Sequence, residues 1–493
     1  MVPPTIGPEL STSPSPLNTS TATLPSFPKK RASSLHGGSG DSSRSSLPTS
    51  SRTSSAVSIP FSDDEVALVT EEGVKHSDGR LHAKRYRTRE FANQLLDILL
   101  ALRISTWSSA GSLSPENLKI AKVSGSLTNA VFFVSYPSVP SVKTLLLRIY
   151  GPSSGELISR PHELHTLHIL SSRYHIGPRV YGTFENGRVE EYFDSTTLSA
   201  AQLRDPTISR WIGARMAELH RVDIEAIEGI TSETWDEDVD WEIAARKNIH
   251  KWLQPAREVL RMPSVTEEYK AEINFDEFVE EWRRYMSWLR TWEDDRGASR
   301  RVFAHNDAQY GNLLRLRGLK EGTPDHRQII VVDFEYASPN SAAYDIANHF
   351  HEWTADYHDS APHILDPARY PTEQERLNFY KAYLTHACLP FPYLTPTPVD
   401  GKTDATQHSL LGLESSSDLK TEVQRLEAQV RVWSPASHAM WAVWGLVQAR
   451  EDLELASQAH AKSTKPEDPE FDYLGYTRCR IQGFRREIKA LGL

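Results

Sequence analysis

Two polar segments near the middle of this chain constrain its fold more than any other feature, because an apolar hairpin separates them. The first segment contains His305, Asp307 and Asn312 in the pattern H-x-D-x-x-x-x-N. The second begins at Asp333, which ends the apolar run IIVV. The residues between them carry a glycine and a proline at their centre, which predicts a turn joining two strands. The sequence therefore predicts a loop, a hairpin and a strand-ending carboxylate, in that order.

These residue types are the ones that phosphoryl transfer from ATP requires. One carboxylate must orient the attacking hydroxyl and accept its proton, and oxygen ligands must hold Mg²⁺ against the phosphates. Taken singly, an acid at a strand end and an asparagine that caps a loop are both common features. Their joint pattern favours the functional interpretation, with Asp307 as the base and Asn312 and Asp333 as the Mg²⁺ ligands.

A strand-rich region precedes this pattern and supplies a candidate phosphate-binding turn. Its hydrophobic pattern predicts the order strand–strand–helix–strand–strand, which describes a small antiparallel lobe with one packed helix. The segment VSGSLTNAVF reads as a strand, a polar turn and a strand. The alternative is an ordinary polar hairpin, since the segment matches no established phosphate-loop motif. We predict that the nucleotide binds at the turn residues Ser124, Gly125, Ser126, Thr128 and Asn129.

Arg148 is the only charged residue in the apolar strand LLLRIYG. A buried guanidinium without a partner is costly, so the sequence predicts an ion pair there. We assign Arg148 to the ATP phosphates and predict Glu163, on the following helix, as its partner. The alternative is a pair with a purely structural role.

Composition limits the class of protein. Residues 1–60 are dominated by Ser, Thr and Pro, which predicts a disordered tail, and a second such stretch lies near 389–418. No apolar run reaches the ~18–20 residues of a membrane helix. Two cysteines, a formal charge of −10 and the absence of a signal segment lead us to expect a soluble cytoplasmic protein that binds no nucleic acid.

Aromatic residues near the C-terminus predict a site for an organic cation. We expect Ser434 to cap a helix that has Pro435 at its first position, which places Trp441 and Trp444 on one face. Aromatic rings attract a quaternary ammonium by about 0.5–2 kcal/mol each. The alternative is that this tryptophan pair only packs the helix.

Together these segments resemble the choline/ethanolamine kinase family. The similar blocks are HND…GN, VVDFEYASPN…YDIANHFHEW, LLLRIYG, SGSLTN and ASHAMWAVWGLVQA, spread from Lys119 to Phe484. The resemblance implies an α+β, eukaryotic protein-kinase-like bilobal fold with an N-terminal antiparallel β lobe and a larger, mainly helical C-terminal lobe. It also implies transfer of the ATP γ-phosphoryl group to choline or ethanolamine with Mg²⁺, the first step of the Kennedy route to phospholipids.

By position, the resemblance assigns Asp307 as catalytic base, Asn312 and Asp333 as metal ligands, and Arg148 with the SGSLTN turn as ATP-binding elements. The residues that fall on the family's amine-binding pocket are Asp345, Glu352, Tyr357, Trp441, Trp444, Phe471 and Tyr476. Glu335 follows Asp333 and Phe334 where protein kinases have glycine, which argues against a protein kinase. The Ser-rich tail and the insertion resemble additions in fungal members.

The resemblance divides the chain into the tail (1–60), an ATP-binding lobe (61–195) and a catalytic and amine-binding lobe (196–493) with the insertion near 389–418. We expect choline as the preferred small-molecule substrate, with some ethanolamine activity. The alternatives are an ethanolamine-selective kinase, an aminoglycoside-type phosphotransferase and a non-catalytic scaffold. A homodimer is left open, as is phosphorylation of the tail at KKRASS, 29–34.

Overall fold

The computed structural model describes residues 74–125, 129–150, 160–228, 243–388, 416–461 and 471–493. Among them, the N-terminal part contains a six-stranded sheet made of β1 (His76–Ser77), β2 (Lys119–Gly125), β3 (Asn129–Ser135), β4 (Leu145–Tyr150), β5 (Val180–Phe184) and β6 (Gly187–Glu191). The order across the sheet is β1-β5-β6-β4-β3-β2. Only β1 and β5 run in parallel among these neighbours, so the predicted antiparallel lobe is confirmed. The predicted strand order differs in one respect, because β2, β3 and β4 are three strands where the sequence predicts two before the helix.

Helices cover and flank this sheet, namely α1 (Arg89–Ala101), α2 (Ser105–Ser108) and α3 (Arg160–Arg173). The first begins where the Thr88 side chain accepts a hydrogen bond from the N–H of Phe91, which satisfies one of the free donors at the helix start. Its apolar stripe, with Phe91 and Leu95, is buried with Phe132 of the sheet in one core. The spacing of these apolar residues therefore gives the helix one buried face.

The rest of the described chain is mainly helical. Its helices are α4 (Pro206–Leu219), α5 (Ile224–Glu228), α6 (Ala244–Leu260), α7 (Glu267–Ile273), α8 (Phe275–Arg296), α9 (Ala342–Glu352), α10 (Glu373–Ala387), α11 (Ser416–Ala461) and α12 (Tyr473–Ala490). They share a second and larger hydrophobic core, in which α11 packs against α6, α9 and α12. None of the helices in the described part of the chain combines the length and apolarity that a bilayer crossing requires.

Short strands hold the central polar segments in place. They are β7 (Ser195–Thr197), β8 (Arg301–Ala304), β9 (Leu313–Leu316), β10 (Ile329–Val331) and β11 (Ser338–Ser341). The predicted hairpin is formed by β9 and β10, in which Leu313 pairs with Val331. Just beyond this pair, the N–H of Val332 donates to the carbonyl of Asn312 at 3.0 Å. The antiparallel register therefore brings Asn312 next to Asp333.

A glycine allows the segment after β10 to pack closely against the N-terminal part. Gly177 has a φ of +72°, which favours glycine, and a Cβ at this position would lie 2.7 Å from the ring of Phe334. Phe334 is buried and follows Asp333 directly. A larger residue at 177 would therefore displace the segment that carries Asp333.

The predicted start of a helix at Ser434 and Pro435 is wrong, because both residues lie inside the 46-residue helix α11. Upstream residues of the same helix, including Val423, Leu426 and Val430, are buried in the core. Their burial offsets the cost of an internal proline, which lacks the N–H that would extend the helix. The Ser434 hydroxyl instead lies 2.7 Å from Nε2 of His351 on α9. The predicted disordered tail, 1–60, and most of the predicted insertion lie outside the described residues.

Candidate active site

The loop between β8 and β9 contains the predicted catalytic residues, and one buried carboxylate on α9 holds it. Asp345 accepts hydrogen bonds from the backbone N–H of His305, at 3.0 Å, and of Asn306, at 2.8 Å. His220 contributes a third contact to the same carboxylate, with its Nε2 at 2.8 Å. Burial alone would raise the pKa of Asp345, but the hydrogen bond and charge of His220 outweigh it and lower that pKa.

Asp345 was predicted to line the amine pocket, and its contacts in the structure are with the catalytic loop and His220. It is fully buried, and both of its oxygens are taken by the loop and by His220. These bonds stabilise Asn306 in the left-handed region, with a φ of +63°. Asp345 therefore fixes the backbone just before Asp307.

Asp307, Asn312 and Asp333 meet at the open end of the β9–β10 hairpin. The amide nitrogen of Asn312 donates to Oδ2 of Asp307 at 3.0 Å and to its backbone carbonyl at 2.9 Å. Asp333 also has a left-handed backbone, with a φ of +67°, at the point where the chain leaves β10. Non-glycine residues in this region are uncommon and cluster at functional sites.

The oxygen atoms of this group fit a hard divalent cation such as Mg²⁺. Because the Asn312 nitrogen is used by Asp307, the oxygen of the same amide is the atom that can face a cation. Asp333 adds a carboxylate on the neighbouring strand end, and one amide oxygen with one carboxylate is a donor set that Mg²⁺ accepts. The remaining positions around such an ion are normally filled by water and phosphate oxygens.

On the sheet side, Arg148 on β4 reaches toward this group. Its Nη1 lies 4.0 Å from Oδ1 of Asp333 and its Nε lies 3.5 Å from Glu190 on β6. The prediction that Glu163 pairs with Arg148 is wrong, because Glu163 on α3 lies 2.9 Å from the fully buried guanidinium of Arg188. Arg188 also forms an ion pair with Glu190, so the charges make one chain from α3 across the sheet to Asp333.

The turn predicted to cradle phosphates is only partly described. Ser126 and Thr128 lie outside the described residues, while Ser124 and Gly125 end β2 and Asn129 begins β3. The two predicted strands on either side of residues 126–128 are thus present and pair antiparallel.

Aromatic rings from three separate segments form a cluster beside the catalytic loop. The ring centroids of Trp441 and Trp444 are 5.2 Å apart, and those of Tyr336 and Trp441 are 5.4 Å apart. The other members, whose centroids lie 5.0–6.0 Å from a neighbour in the cluster, are Tyr473, Tyr476 and Phe471. The structure therefore brings together the predicted Trp441, Trp444, Phe471 and Tyr476.

Electrostatics place the cluster close to Asp307. Burial, followed by the charge of Asp307, raises the pKa of Tyr336. Burial also raises the pKa of Tyr476, to which Asp307 contributes in the same sense. Because a hydroxyl with a raised pKa stays neutral, the rings next to the carboxylate present neutral faces.

The predicted acid Glu352 lies at one side of the cluster with its charge already paired. Its Oε1 accepts from the guanidinium of Arg480 at 3.0 Å, and its Oε2 accepts from the hydroxyl of Tyr357 at 2.6 Å. Arg480 also donates to the hydroxyl of Tyr476 at 2.9 Å. The ring of Tyr357 lies tilted beside that of Tyr310, with ring centroids 5.6 Å apart. The Glu352 carboxylate thus holds Tyr357 directly and Tyr476 through Arg480, and it neutralises the charge of Arg480.

One asparagine connects the cluster to the catalytic loop. The amide nitrogen of Asn348 donates to the backbone carbonyl of Asn306 at 3.1 Å. Its amide oxygen accepts from the indole N–H of Trp441 and from the Ser437 hydroxyl, both at 2.8 Å. Trp441, predicted as a substrate contact, therefore also stabilises the loop.

Sequence reasoning missed several residues of the site. Tyr336 could have been found, because it lies in the same segment as Asp333 and is aromatic. Asn348 and Arg480 carry only a weak signal, namely a polar residue at a core position of a helix. The sequence carries no signal for His220, since its partner Asp345 is 125 residues away in the chain.

Known proteins resemble this chain over most of its length. A family model described as choline/ethanolamine kinase matches residues 120–485. A choline kinase of Schizosaccharomyces pombe is 34% identical over 434 residues, which cover 82% of this chain and 90% of the relative. A choline kinase of Saccharomyces cerevisiae is 29% identical and covers 81% of this chain and 76% of its own length.

A solved structure shows the same fold. The crystal structure of choline kinase from Cryptosporidium parvum Iowa II superposes with a TM-score of 0.55 at 22% identity, covering 81% of this chain and 96% of the other. The predicted α+β, protein-kinase-like bilobal fold is thus confirmed. Because the family model spans most of the chain and a relative that is 34% identical covers 82% of it, this chain belongs to the choline/ethanolamine kinase family.

Proposed function

We propose that this protein transfers the γ-phosphoryl group of ATP to the hydroxyl of choline, giving phosphocholine and ADP. The observation that carries the proposal is the position of Asp307, which Asn312 orients at 3.0 Å beside a cluster of neutral aromatic rings. A base at the edge of an aromatic cage suits a substrate that has a quaternary ammonium at one end and a hydroxyl at the other.

In the proposed reaction, the aromatic cluster holds the trimethylammonium group and directs the choline hydroxyl toward Asp307. The hydroxyl oxygen attacks the γ-phosphorus, and the bond from that phosphorus to the β,γ-bridging oxygen breaks, so ADP leaves. The Asp307 carboxylate accepts the hydroxyl proton. Arg148, 4.0 Å from Asp333, supplies positive charge on the phosphate side.

Asn312 and Asp333 would hold Mg²⁺, which when bound neutralises charge on the phosphates. The chain's own contribution is to fix these two ligands. The hydrogen bond from Val332 to Asn312 at 3.0 Å sets their separation, and Asp345 fixes the loop that precedes them.

The contacts of Glu352 favour choline over ethanolamine. A primary ammonium binds best to several hydrogen-bond acceptors, whereas a trimethylammonium has no N–H to donate and binds to ring faces. Both oxygens of Glu352 are occupied, by Arg480 and Tyr357. The Tyr336 hydroxyl already accepts from the indole N–H of Trp444 at 2.9 Å. Ring faces are thus the main attraction that the aromatic cluster offers to an amine.

The test is an assay of the purified full chain with ATP and Mg²⁺, comparing choline, dimethylethanolamine, monomethylethanolamine and ethanolamine. We expect kcat/KM to rise with each added methyl group. A kcat/KM that is highest for ethanolamine would contradict choline as the preferred substrate while keeping the kinase activity. No turnover with any of the four amines would contradict the proposed function.

A further inference from the structure

Three ionisable side chains meet where α9, α11 and α12 pack together, one or two helix turns from the amine site. The three residues, here called the junction cluster, are His351, His438 and Glu487. Each lies on a helix that also carries a residue of the candidate site. His351 directly precedes Glu352, His438 is three residues before Trp441, and Glu487 is seven residues after Arg480, which is two turns of the same helix face.

Within the junction cluster, one carboxylate oxygen lies near both imidazoles, and the Ser434 hydroxyl, at 2.7 Å, is a nearer partner of His351 Nε2. Oε1 of Glu487 lies 3.4 Å from Nε2 of His351 and 3.5 Å from Nε2 of His438. The two rings are stacked, with centroids 3.9 Å apart and planes at 28°. Both histidines are buried, with relative exposures of 1% and 4%. The Glu487 carboxylate therefore links all three helices at one point.

A glycine on α12 is required for this arrangement. A Cβ at Gly483 would lie 2.6–2.8 Å from three atoms of the His438 ring. Atoms that are not bonded do not approach this closely, so any side chain at 483 would push the ring away from its place. The absence of a side chain at 483 lets the imidazole lie directly against α12, one turn before Glu487.

The stacked rings fit a shared carboxylate better than a bound metal ion. With metal–nitrogen bonds of about 2.0–2.1 Å, two imidazoles on one tetrahedral ion have ring centres about 5 Å apart. The observed separation of 3.9 Å is too short for that geometry. The three side chains therefore interact with one another directly.

Charged and titratable groups face Glu487 from the elements packed against it. Arg480 and Arg486 lie on α12 itself, while Tyr370 and Tyr285 face Glu487 from the segment before α10 and from α8. Burial opposes the charged form of Glu487, but His438 and His351 outweigh it and lower its pKa. Burial lowers the pKa of His438 to about 3, so this ring is neutral.

A cavity of about 230 Å³ lies beside the junction cluster and includes all three of its residues in the lining. The lining also includes Thr354 and Cys479. Packing on this side is therefore incomplete, and the contacts of Glu487 with the two imidazoles supply positional order that close packing supplies elsewhere.

We propose that Glu487 is a positioning residue of the amine site, which acts through His351 and His438 to set the relative positions of α9, α11 and α12. This inference rests on the proposed function, because its test measures the KM for choline. Through α12 it places Arg480 against Glu352, and through α11 it places Trp441 and Trp444 in the aromatic cluster. In the proposed function ATP binds at the sheet side and the catalytic loop, so we expect its binding not to depend on the junction cluster.

The main test compares the variants Glu487→Ala and Glu487→Gln in steady-state kinetics with choline and ATP. Glu487→Ala removes the shared acceptor, and we expect it to raise the KM for choline about tenfold with the KM for ATP within about twofold of wild type. Glu487→Gln retains an acceptor oxygen at the same place, and we expect it to restore most of the choline affinity. Equal effects on both KM values, or no effect of Glu487→Ala, would overturn the proposal.

Gly483→Ala provides a second route that leaves Glu487 intact. Because its methyl group would displace the His438 ring, it should raise the KM for choline as Glu487→Ala does, and a wild-type KM would overturn the proposal. If Glu487→Ala fails to fold, this variant decides the question.

The matched control is Glu281→Ala, which removes the ion pair to Arg485 of α12 at 2.8 Å on the side that faces α8. An increase in the choline KM equal to that of Glu487→Ala would show that any loosening of α12 has this effect, and would overturn the proposal. Stoichiometric zinc in the purified wild type would overturn it as well.

The experiment separates the two proposals. No turnover of choline by the wild type overturns the proposed function and the inference with it. Wild-type turnover with unchanged kinetics in the variants overturns the inference alone.

Discussion

The catalytic loop and the aromatic cluster are neighbours, but they are held by different forces. Polar contacts to buried groups hold the loop, chiefly the three hydrogen bonds that Asp345 accepts. The aromatic cluster is held mainly by ring packing, with a few hydrogen bonds such as that from Trp444 to Tyr336. A polar network has strict geometry, so losing one member should affect the reaction rate, whereas losing one ring of several should mainly weaken amine binding.

The largest effect is expected at the proposed base. Asp307→Asn keeps the shape of the side chain but cannot accept a proton, so kcat should fall about 10²–10⁴-fold. The KM for choline should change little, because the rings still bind the ammonium group. As the control for an intact fold, the variant should have the same midpoint temperature of thermal unfolding as the wild type. A kcat within tenfold of wild type would remove Asp307 from the role of base.

Asp345→Asn should have the next largest effect, although Asp345 touches no substrate in the proposed reaction. The amide can accept only with its oxygen, so one of the loop contacts is lost and Asp307 shifts. A misplaced catalytic group costs on the order of 10²-fold in rate. We expect kcat to fall by about that factor with the choline KM within threefold of wild type. A rise in the choline KM at constant kcat would instead indicate the originally predicted place of Asp345 in the amine pocket.

The stability of the loop region should depend on pH through His349. Its Nδ1 lies 2.8 Å from the carbonyl of Ala308, and its Nε2 accepts from the indole N–H of Trp353 at 3.2 Å, which is the pattern of a neutral ring that donates at Nδ1. Burial lowers the pKa of His349 to about 4. In the unfolded chain, His349 has the ordinary histidine pKa of about 6.5. Below that pH, the unfolded chain therefore binds a proton at His349 more readily than the folded protein does.

The contribution of His349 is therefore fully present above about pH 6.5 and is lost as the pH falls toward 4. Between pH 7 and pH 5 the wild type should lose about 2 kcal/mol more free energy of unfolding than His349→Asn. Urea unfolding of both proteins at the two pH values measures these losses. The other titrating groups are the same in both proteins, so their contributions cancel when the two losses are subtracted. Equal losses in the two proteins would contradict a neutral His349 in the folded state.

The loop was predictable from the sequence because its residues lie close together in the chain. Asp307 and Asn312 occupy one short motif, and the register of a single hairpin brings Asp333 to them. The errors concern partners from distant segments. Glu163 has the right charge for Arg148, but the placement of α3 over the sheet gives it to Arg188 instead. Pro435 suggested a helix start, and only the burial of the upstream turns in the core shows that the helix continues through it.

Removing one ring tests the expectation that the aromatic cluster, unlike the catalytic loop, mainly affects amine binding. Trp444→Leu keeps an apolar side chain but removes the ring face, which is worth about 0.5–2 kcal/mol for a quaternary ammonium. The choline KM should rise about 2–30-fold, while kcat and the KM for ATP stay within about twofold of wild type. Trp288→Leu on α8 is the control, since Trp288 packs against Tyr285 away from the cluster. Equal changes in both KM values would indicate that Trp444 only packs the helix.

The smallest effect is expected for Tyr336→Phe, which keeps the ring and removes only its hydroxyl. That hydroxyl accepts from the indole N–H of Trp444 at 2.9 Å, and the net contribution of such a bond is about 0.5–1.5 kcal/mol. Because the ring face remains, the choline KM should rise by less than about threefold, and the trimethylammonium should still be preferred. The ethanolamine KM should not rise more than the choline KM, since the hydroxyl is already engaged by Trp444. A selective loss of ethanolamine binding would show that Tyr336 offers its oxygen to the substrate, and the pocket would then select its amine by hydrogen bonding as well as by ring packing.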